Sequence, residues 1–241
     1  MVTMLKMMGA VAALAVAAPA MAAPATVTVT GTVMSGVDVG GQFGAAGTSL
    51  IGQPFSAIFT IDAASGSSMF ETATSANLYG TGPASPVSAV LTIGGGSYRF
   101  AGSYSGRARV NDTAGRGGTD AVEYFVEDTD FALRPNDNTL LSLGFDTLRD
   151  VLAGADFTNV DAAGLTLADN AKGFVKIANR DPVTGTFGAP TYADLAISTI
   201  RAQAAAPVPE PATWAMMLSG FALAGVALRR RPRVAARVRF A

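Results

Sequence analysis

Residues 25–34 read Ala-Thr-Val-Thr-Val-Thr-Gly-Thr-Val-Met. Valine and threonine alternate almost without interruption, and both are β-branched residues that suit a half-buried pleated surface better than a helix. With a period of two, one set of side chains faces one way and the other set the opposite way. The stretch therefore reads as a strand, and the chain beyond it repeats the theme. Pro54 opens Phe55–Ile61, in which Phe55, Phe59 and Ile61 share a face. Val87–Ile93, the glycines 94, 95 and 96, and Ser97–Tyr104 carry the signature of a hairpin, the glycines supplying the turn. Ala121–Val126, Thr129–Leu133 and Thr139–Phe145 continue the pattern, with turn chemistry at Pro135-Asn136-Asp137-Asn138. Gly173–Ala178 and Ala193–Arg201 read as closing strands. Between Ala23 and Ala206 no long amphipathic helix is written; Leu148–Ala153 offers one helical turn or two. Roughly nine strands with Gly, Asn and Pro turns predict an all-β domain, a β-sandwich with a jelly-roll-like strand order. A solenoid would need a fixed repeat period, and there is none.

The two ends of the chain differ from this middle. Lys6 is the only charge before Asp38, and an apolar run follows it from Met7 to Ala18. Pro19 ends the run, and Ala20-Met21-Ala22 places small residues at the two positions a signal peptidase inspects. Residues 1–22 are thus expected to form a signal peptide helix, cut after Ala22, with Ala20 as the neighbouring choice and an uncleaved anchor as the alternative. At the other end, Pro209-Glu210-Pro211 is a stiff, extended tripeptide, since each proline fixes its own φ and biases the residue before it away from the helix. An uncharged run from Ala212 to Leu228 follows, with Trp214 near its start, and then Arg229, Arg230, Arg231 and Arg233. A helix of that length spans about 25 Å, the lower limit for a ~30 Å hydrocarbon core. An interfacial Trp at one end and a basic flank at the other are what a short transmembrane helix with a cytoplasmic stop needs, and the arginine stems can snorkel to cover the shortfall. A buried helix is the other reading, but an apolar circumference ending in an arginine cluster argues against it.

The order Pro209-Glu210-Pro211, two residues, Trp214-Ala215, apolar segment and arginine cluster resembles the PEP-CTERM sorting signal in its PEPxxWA variant. The resemblance covers about Val208–Arg233, and the tail runs on to Ala241, longer than that signal's usual end. It implies a substrate of an exosortase, a membrane-embedded transpeptidase-like protease of Gram-negative bacteria that make exopolysaccharide. It further implies delivery through the Sec translocon, removal of the signal peptide by signal peptidase, transient anchoring in the inner membrane, and processing near Pro209, Glu210 and Pro211. The expected organisation is a signal peptide at 1–22, a β-sandwich passenger at 23–201, a small-residue linker at 202–208, the sorting signal at 209–233 and a basic tail at 234–241.

Charge divides the same way. The formal net charge is −1, but six of the arginines lie beyond residue 228, Lys6 lies in the leader, and only one acid, Glu210, lies outside 23–206. The exported part is thus near −7, a poor partner for nucleic acid, whose phosphates need clustered Lys and Arg. There is no cysteine and no histidine. Those absences remove disulfides, Cys–His and Ser–His–Asp catalysis, the usual zinc sites and imidazole acid–base chemistry.

Four groups of residues invite chemistry. The glycines at 36–47 and 115–118 suggest phosphate loops, but no helix follows them as a phosphate cradle requires. Glu123 and Glu127 share a strand face with Phe125, as a glycosidase acid and base could; on the solvent face of an acidic sandwich such pairs are ordinary. Asp112, Asp120, Asp128, Asp130, Asn136, Asp137 and Asn138 gather in or near turns, where exported domains hold Ca²⁺, without the spacing of an EF-hand. Phe43, Tyr98, Tyr104, Tyr124 and Tyr192 could build a sugar-stacking platform or simply pack. The expected function is that of an exported, non-enzymatic surface or exopolysaccharide-matrix protein with a structural or adhesive role. The alternatives are a carbohydrate-binding or carbohydrate-active module on the same scaffold, and a permanently anchored bitopic inner-membrane protein.

Overall fold

The computed structural model describes residues 24–66, 68–129, 139–181 and 183–203, together with Met217, Gly220 and Phe221. The signal peptide expected at 1–22, including Ala20 and Ala22, lies outside the described residues. So do Pro209, Glu210, Pro211, Trp214 and the arginines from Arg229 onward, and most of the helix expected at 212–228. Among the described residues no helix is long and apolar enough to cross a membrane. One compact unit spans Ala22–Ala206, and it is all β, as its alternation predicts.

Its strands are β1 (Ala25–Asp38), β2 (Thr48–Ser49), β3 (Pro54–Ile61), β4 (Ser68–Glu71), β5 (Ser75–Thr81), β6 (Val87–Ile93), β7 (Gly96–Phe100), β8 (Ser105–Asp112), β9 (Asp120–Glu127), β10 (Leu140–Thr147), β11 (Asp161–Ala163), β12 (Lys172–Ile177) and β13 (Thr191–Gln203). All pairings are antiparallel, and one hydrogen-bonded path runs β4-β5-β8-β9-β10-β12-β13-β1-β3-β6-β7, with β11 added to β13 and β2 to β1. This corrects the jelly-roll expectation, which needs two separate sheets. β1 is long enough to pair β13 along one edge and β3, then β2, along the other, so it joins the two arms into one sheet.

The sheet closes on a core by curling. β3 and β9 lie five steps apart in the path, about 24 Å on a flat sheet. Yet the rings of Phe59 on β3 and Tyr124 on β9 have centroids 5.5 Å apart, tilted by 33°. The two arms therefore face each other, and the inward residues of both form a single buried cluster that includes Val27, Phe59, Leu91, Tyr124, Leu143 and Leu195. The result is a curled antiparallel half-barrel. Alternation dictates the cluster's membership: β3 buries Phe55, Ala57, Phe59 and Ile61, and β9 buries Val122, Tyr124 and Val126. Tyr124 is fully buried and donates its hydroxyl to the Phe157 carbonyl at 2.8 Å. Burial pushes its phenol far above the ordinary range.

Two glycine features set the geometry. Gly94 and Gly95 have φ of 57° and 107° and close the β6–β7 hairpin in two residues, as the primed turns that match strand twist require. Gly31 marks a register shift between β1 and β13; a Cβ there would run into the Ala196 carbonyl and the Phe55 ring. A second shift, between Val33 and Ser35, reverses which residues of β1 face inward. After it Val37 points outward and Asp38 is buried. The other expected strands hold, with three differences. The strand after the triple glycine ends at Phe100, four residues short of Tyr104. Leu148–Ala153 forms bends and no helix, because the loop is spent on placing Leu152 and Phe157 in the core. The strand expected at Thr129–Leu133 lies outside the described residues beyond Thr129.

Candidate functional site

Buried aspartates hold the loops. Asp38 is completely buried and accepts the amides of Gln42 at 2.8 Å, Phe43 at 2.7 Å and Gly44 at 2.9 Å, with the Thr191 hydroxyl at 3.2 Å. The amides that a phosphate would need in this Gly-rich loop hold an internal carboxylate instead. The same interaction folds the loop over and drives Phe43 into the core.

Asp120 repeats the device. Its carboxylate accepts Thr113 and Ala114 amides on one oxygen, at 3.0 and 2.9 Å, and those of Val151 and Leu152 on the other, at 2.8 and 2.9 Å. Burial pushes its pKa up, but the four amides outweigh that and hold it below the usual carboxylate value. Asp112 and Asp150 bring ligand atoms within 4.8 Å of Asp120, so the structure does gather part of the acidic set expected for Ca²⁺. The fit to a cation is poor, because four amides fill the four lone-pair directions of Asp120. Asp128 accepts the Ser103 hydroxyl; Asp130, Asn136, Asp137 and Asn138 lie outside the described residues.

Asp169 is the third. It accepts the Thr147 hydroxyl at 2.9 Å, Arg149 Nε at 2.6 Å, and the amide and hydroxyl of Thr166 at 2.9 and 3.0 Å. Burial raises its pKa, but these donors hold it down at about 2.

Glu123 and Glu127 are not arranged as an acid–base pair. They stand four residues apart, about 13 Å along the strand, and a glycosidase pair needs roughly 5–9.5 Å. Glu123 is paired with Arg107, whose guanidinium lies 5.7 Å from the Phe125 ring centroid. Glu127 is buried and accepts the Ser105 hydroxyl at 2.9 Å; burial raises its pKa.

The five aromatics do not assemble into a platform. Phe43 and Tyr124 are core residues, and Tyr98 packs edge-on to buried Phe100, with centroids 4.8 Å apart. Tyr192 is different: it is 40% exposed on the outer face of β13, beside Phe174 of β12, which is 36% exposed. Their ring centroids are 6.2 Å apart at 30°. The Tyr192 hydroxyl donates to Asp194 Oδ1 at 2.6 Å, and Ser35 Oγ donates to Asp194 Oδ2 at 2.5 Å. Those two bonds, Ser35 first, hold the Asp194 carboxyl below its usual pKa, and the Asp194 bond raises the Tyr192 phenol. An open groove of about 590 Å³ runs beside them, lined by Met34, Ser35, Ser142, Lys172, Phe174 and Asp194. Sequence reasoning missed Phe174 and its neighbours, although the alternation in Lys172-Gly173-Phe174-Val175-Lys176 already puts both lysines and the phenylalanine on one face.

The domain is thus an all-β scaffold with tied-down loops and, beside Phe174 and Asp194, an open surface groove; a terminal stretch of different character follows it in sequence. The description "PEP-CTERM protein-sorting motif" matches that stretch, over residues 207–231. The chain carries a PEP-CTERM sorting motif over that stretch, and this signal implies export, with an exosortase as the processing partner. No curated protein and no solved structure matches the chain.

Proposed function

We propose that the chain is a non-enzymatic structural or adhesive protein, exported and released to the cell surface or the exopolysaccharide matrix. The observation that carries this reading is the sorting-motif match at 207–231, which covers the tripeptide, the apolar run and the first arginines. In this reading the Sec translocon exports the chain and signal peptidase cuts after Ala22, with Ala20 at the neighbouring inspected position. Pro209, Glu210 and Pro211 present an extended backbone to the exosortase, and Trp214 marks the membrane interface. Residues 212–228 hold the protein in the inner membrane until processing, with Arg229, Arg230, Arg231 and Arg233 as the cytoplasmic stop. Of the expected linker at 202–208, Ala202 and Gln203 belong to β13; the residues after them let the protease reach the tripeptide while β13 stays paired.

A passive role for the β domain is supported by what its carboxylates already do. Asp38, Asp120 and Asp169 are committed to amides and hydroxyls, Glu123 to Arg107 and Glu127 to Ser105. Replacing Pro209-Glu210-Pro211 by three alanines tests the sorting role. The variant should accumulate in the inner-membrane fraction with its carboxyl terminus attached. Release at the wild-type level would refute it.

A further inference from the structure

We propose that the groove between β1, β10, β12 and β13 binds an acidic polysaccharide, stacking a sugar ring on the Phe174–Tyr192 pair and placing sugar carboxylates against Lys172 and Lys176. The inference rests on the reading of the domain as an adhesive component and names its partner.

The two lysines carry the charge argument. The chain has three in all, and the other is Lys6. Both lysines of the exported domain therefore lie on one strand, two residues either side of Phe174, with the same facing as that ring. In register, Lys176 stands opposite Tyr192 and Phe174 opposite Asp194. Of the domain's eight arginines, Arg107, Arg149 and Arg201 have carboxylate partners; among the described residues no ion pair involves Lys172 or Lys176. Asp194 is held by Ser35 and Tyr192 and keeps its charge, so the site carries two cations to one carboxylate. On a domain near −7, two uncommitted cations flanking an exposed aromatic form a local site for anions rather than a general attraction.

The rings select the class of anion. A pyranose presents an array of C–H bonds on its face, and an aromatic face carries the negative side of a quadrupole that attracts them. Asp194 fixes the Tyr192 hydroxyl, so the ring is held before ligand arrives. The spacing then favours a chain over a single sugar. Lys172 and Lys176 are about 13 Å apart along β12, too far for one carboxylate or for adjacent sugars, so they suit carboxylates on separated sugars of one chain. Across the sheet, Ser142 stands opposite Phe174 on one side and Phe125 on the other. A second ring, with Arg107 over it, lies at two strand spacings, about 9.6 Å, to the side of the line from Lys172 to Lys176.

Calorimetric titration of the full-length chain in detergent micelles tests this, with an oligogalacturonate as the acidic probe and a cello-oligosaccharide of equal length as the neutral one. The oligogalacturonate should bind, weaken as salt rises, and lose about tenfold or more in affinity in K172Q/K176Q and in F174S. The neutral chain should bind more weakly and be indifferent to the lysine changes. K172Q/K176Q alters only outward-facing positions of β12 and should melt with the wild type, which guards against misfolding of F174S. No measurable binding of the oligogalacturonate, or binding that K172Q/K176Q leaves unchanged, would overturn the proposal. Neither result depends on processing of the carboxyl terminus, so failure here leaves the sorting reading intact, and a failure of sorting leaves this one intact.

Discussion

A carboxylate inside a protein is costly unless donors surround it, and this chain turns that cost into loop structure. With no cysteine and no histidine, it has neither disulfides nor the usual zinc clips, and three aspartates fasten the loops in their place. Asp120 ties the turn at Thr113–Ala114 to Val151–Leu152, more than thirty residues further on. Asp120→Asn leaves one carboxamide oxygen for four amides, so it should cost about 2–3 kcal/mol, read by denaturant unfolding at neutral pH. Asp169 gives the pH dependence. Its folded pKa of about 2 lies below the ordinary value of 3.8, so the unfolded chain binds the proton more readily and stability rises with pH. The contribution is complete above about pH 4 and is lost as pH falls toward 2. Stability curves of wild type and Asp169→Asn should therefore converge as the solution is acidified. Asp120 was legible as a turn aspartate and open to a Ca²⁺ reading. What decides its role is a set of amides from a distant loop, which no local spacing reveals.

At the scale of elements, the strands that announce themselves are those with β-branched and aromatic residues on one face: β1, β3, β6, β9, β10, β12 and β13. The strands β5 (Ser-Ala-Asn-Leu-Tyr-Gly-Thr) and β8 (Ser-Gly-Arg-Ala-Arg-Val-Asn-Asp) did not. Their inward positions are mostly small, for a reason visible only in three dimensions. A Cβ on Gly80 would run into the Ala84 carbonyl, and one on Gly106 would crowd Ser85 and Val87. The segment Ala84–Val87 passes so close to both strands that the bulky residues by which strands are recognised have no room there. Gly31 on β1 is crowded by its own neighbours in the sheet, Ala196 on β13 and Phe55 on β3. Gly31→Val should destabilise the domain by about 2 kcal/mol or more through overpacking, with the loss seen as a lower melting temperature. The jelly-roll order failed for a related reason: hairpins are local and readable, whereas β1 pairs with β13 across the whole domain.

For the whole molecule, two kinds of information sit in one chain. The sorting signal is linear, so the sequence alone displays it; the groove is assembled from β1, β10, β12 and β13, and none of its lining residues was anticipated, only Tyr192 beside it. The half-barrel depends on its arms meeting at Phe59 and Tyr124. Phe59→Ala should cost about 3–5 kcal/mol, measured by urea unfolding, well beyond the effect of any exposed substitution on the same sheet. The account's central claim, that this domain is cargo for a sorting pathway, is tested most directly by the intact mass of the protein recovered from the membrane and extracellular fractions of its host. The account predicts an extracellular form lacking both ends, beginning just after Ala22 and ending near Pro209. Retention of Trp214–Ala241 in all of the recovered protein would contradict it and make the chain a permanently anchored membrane protein.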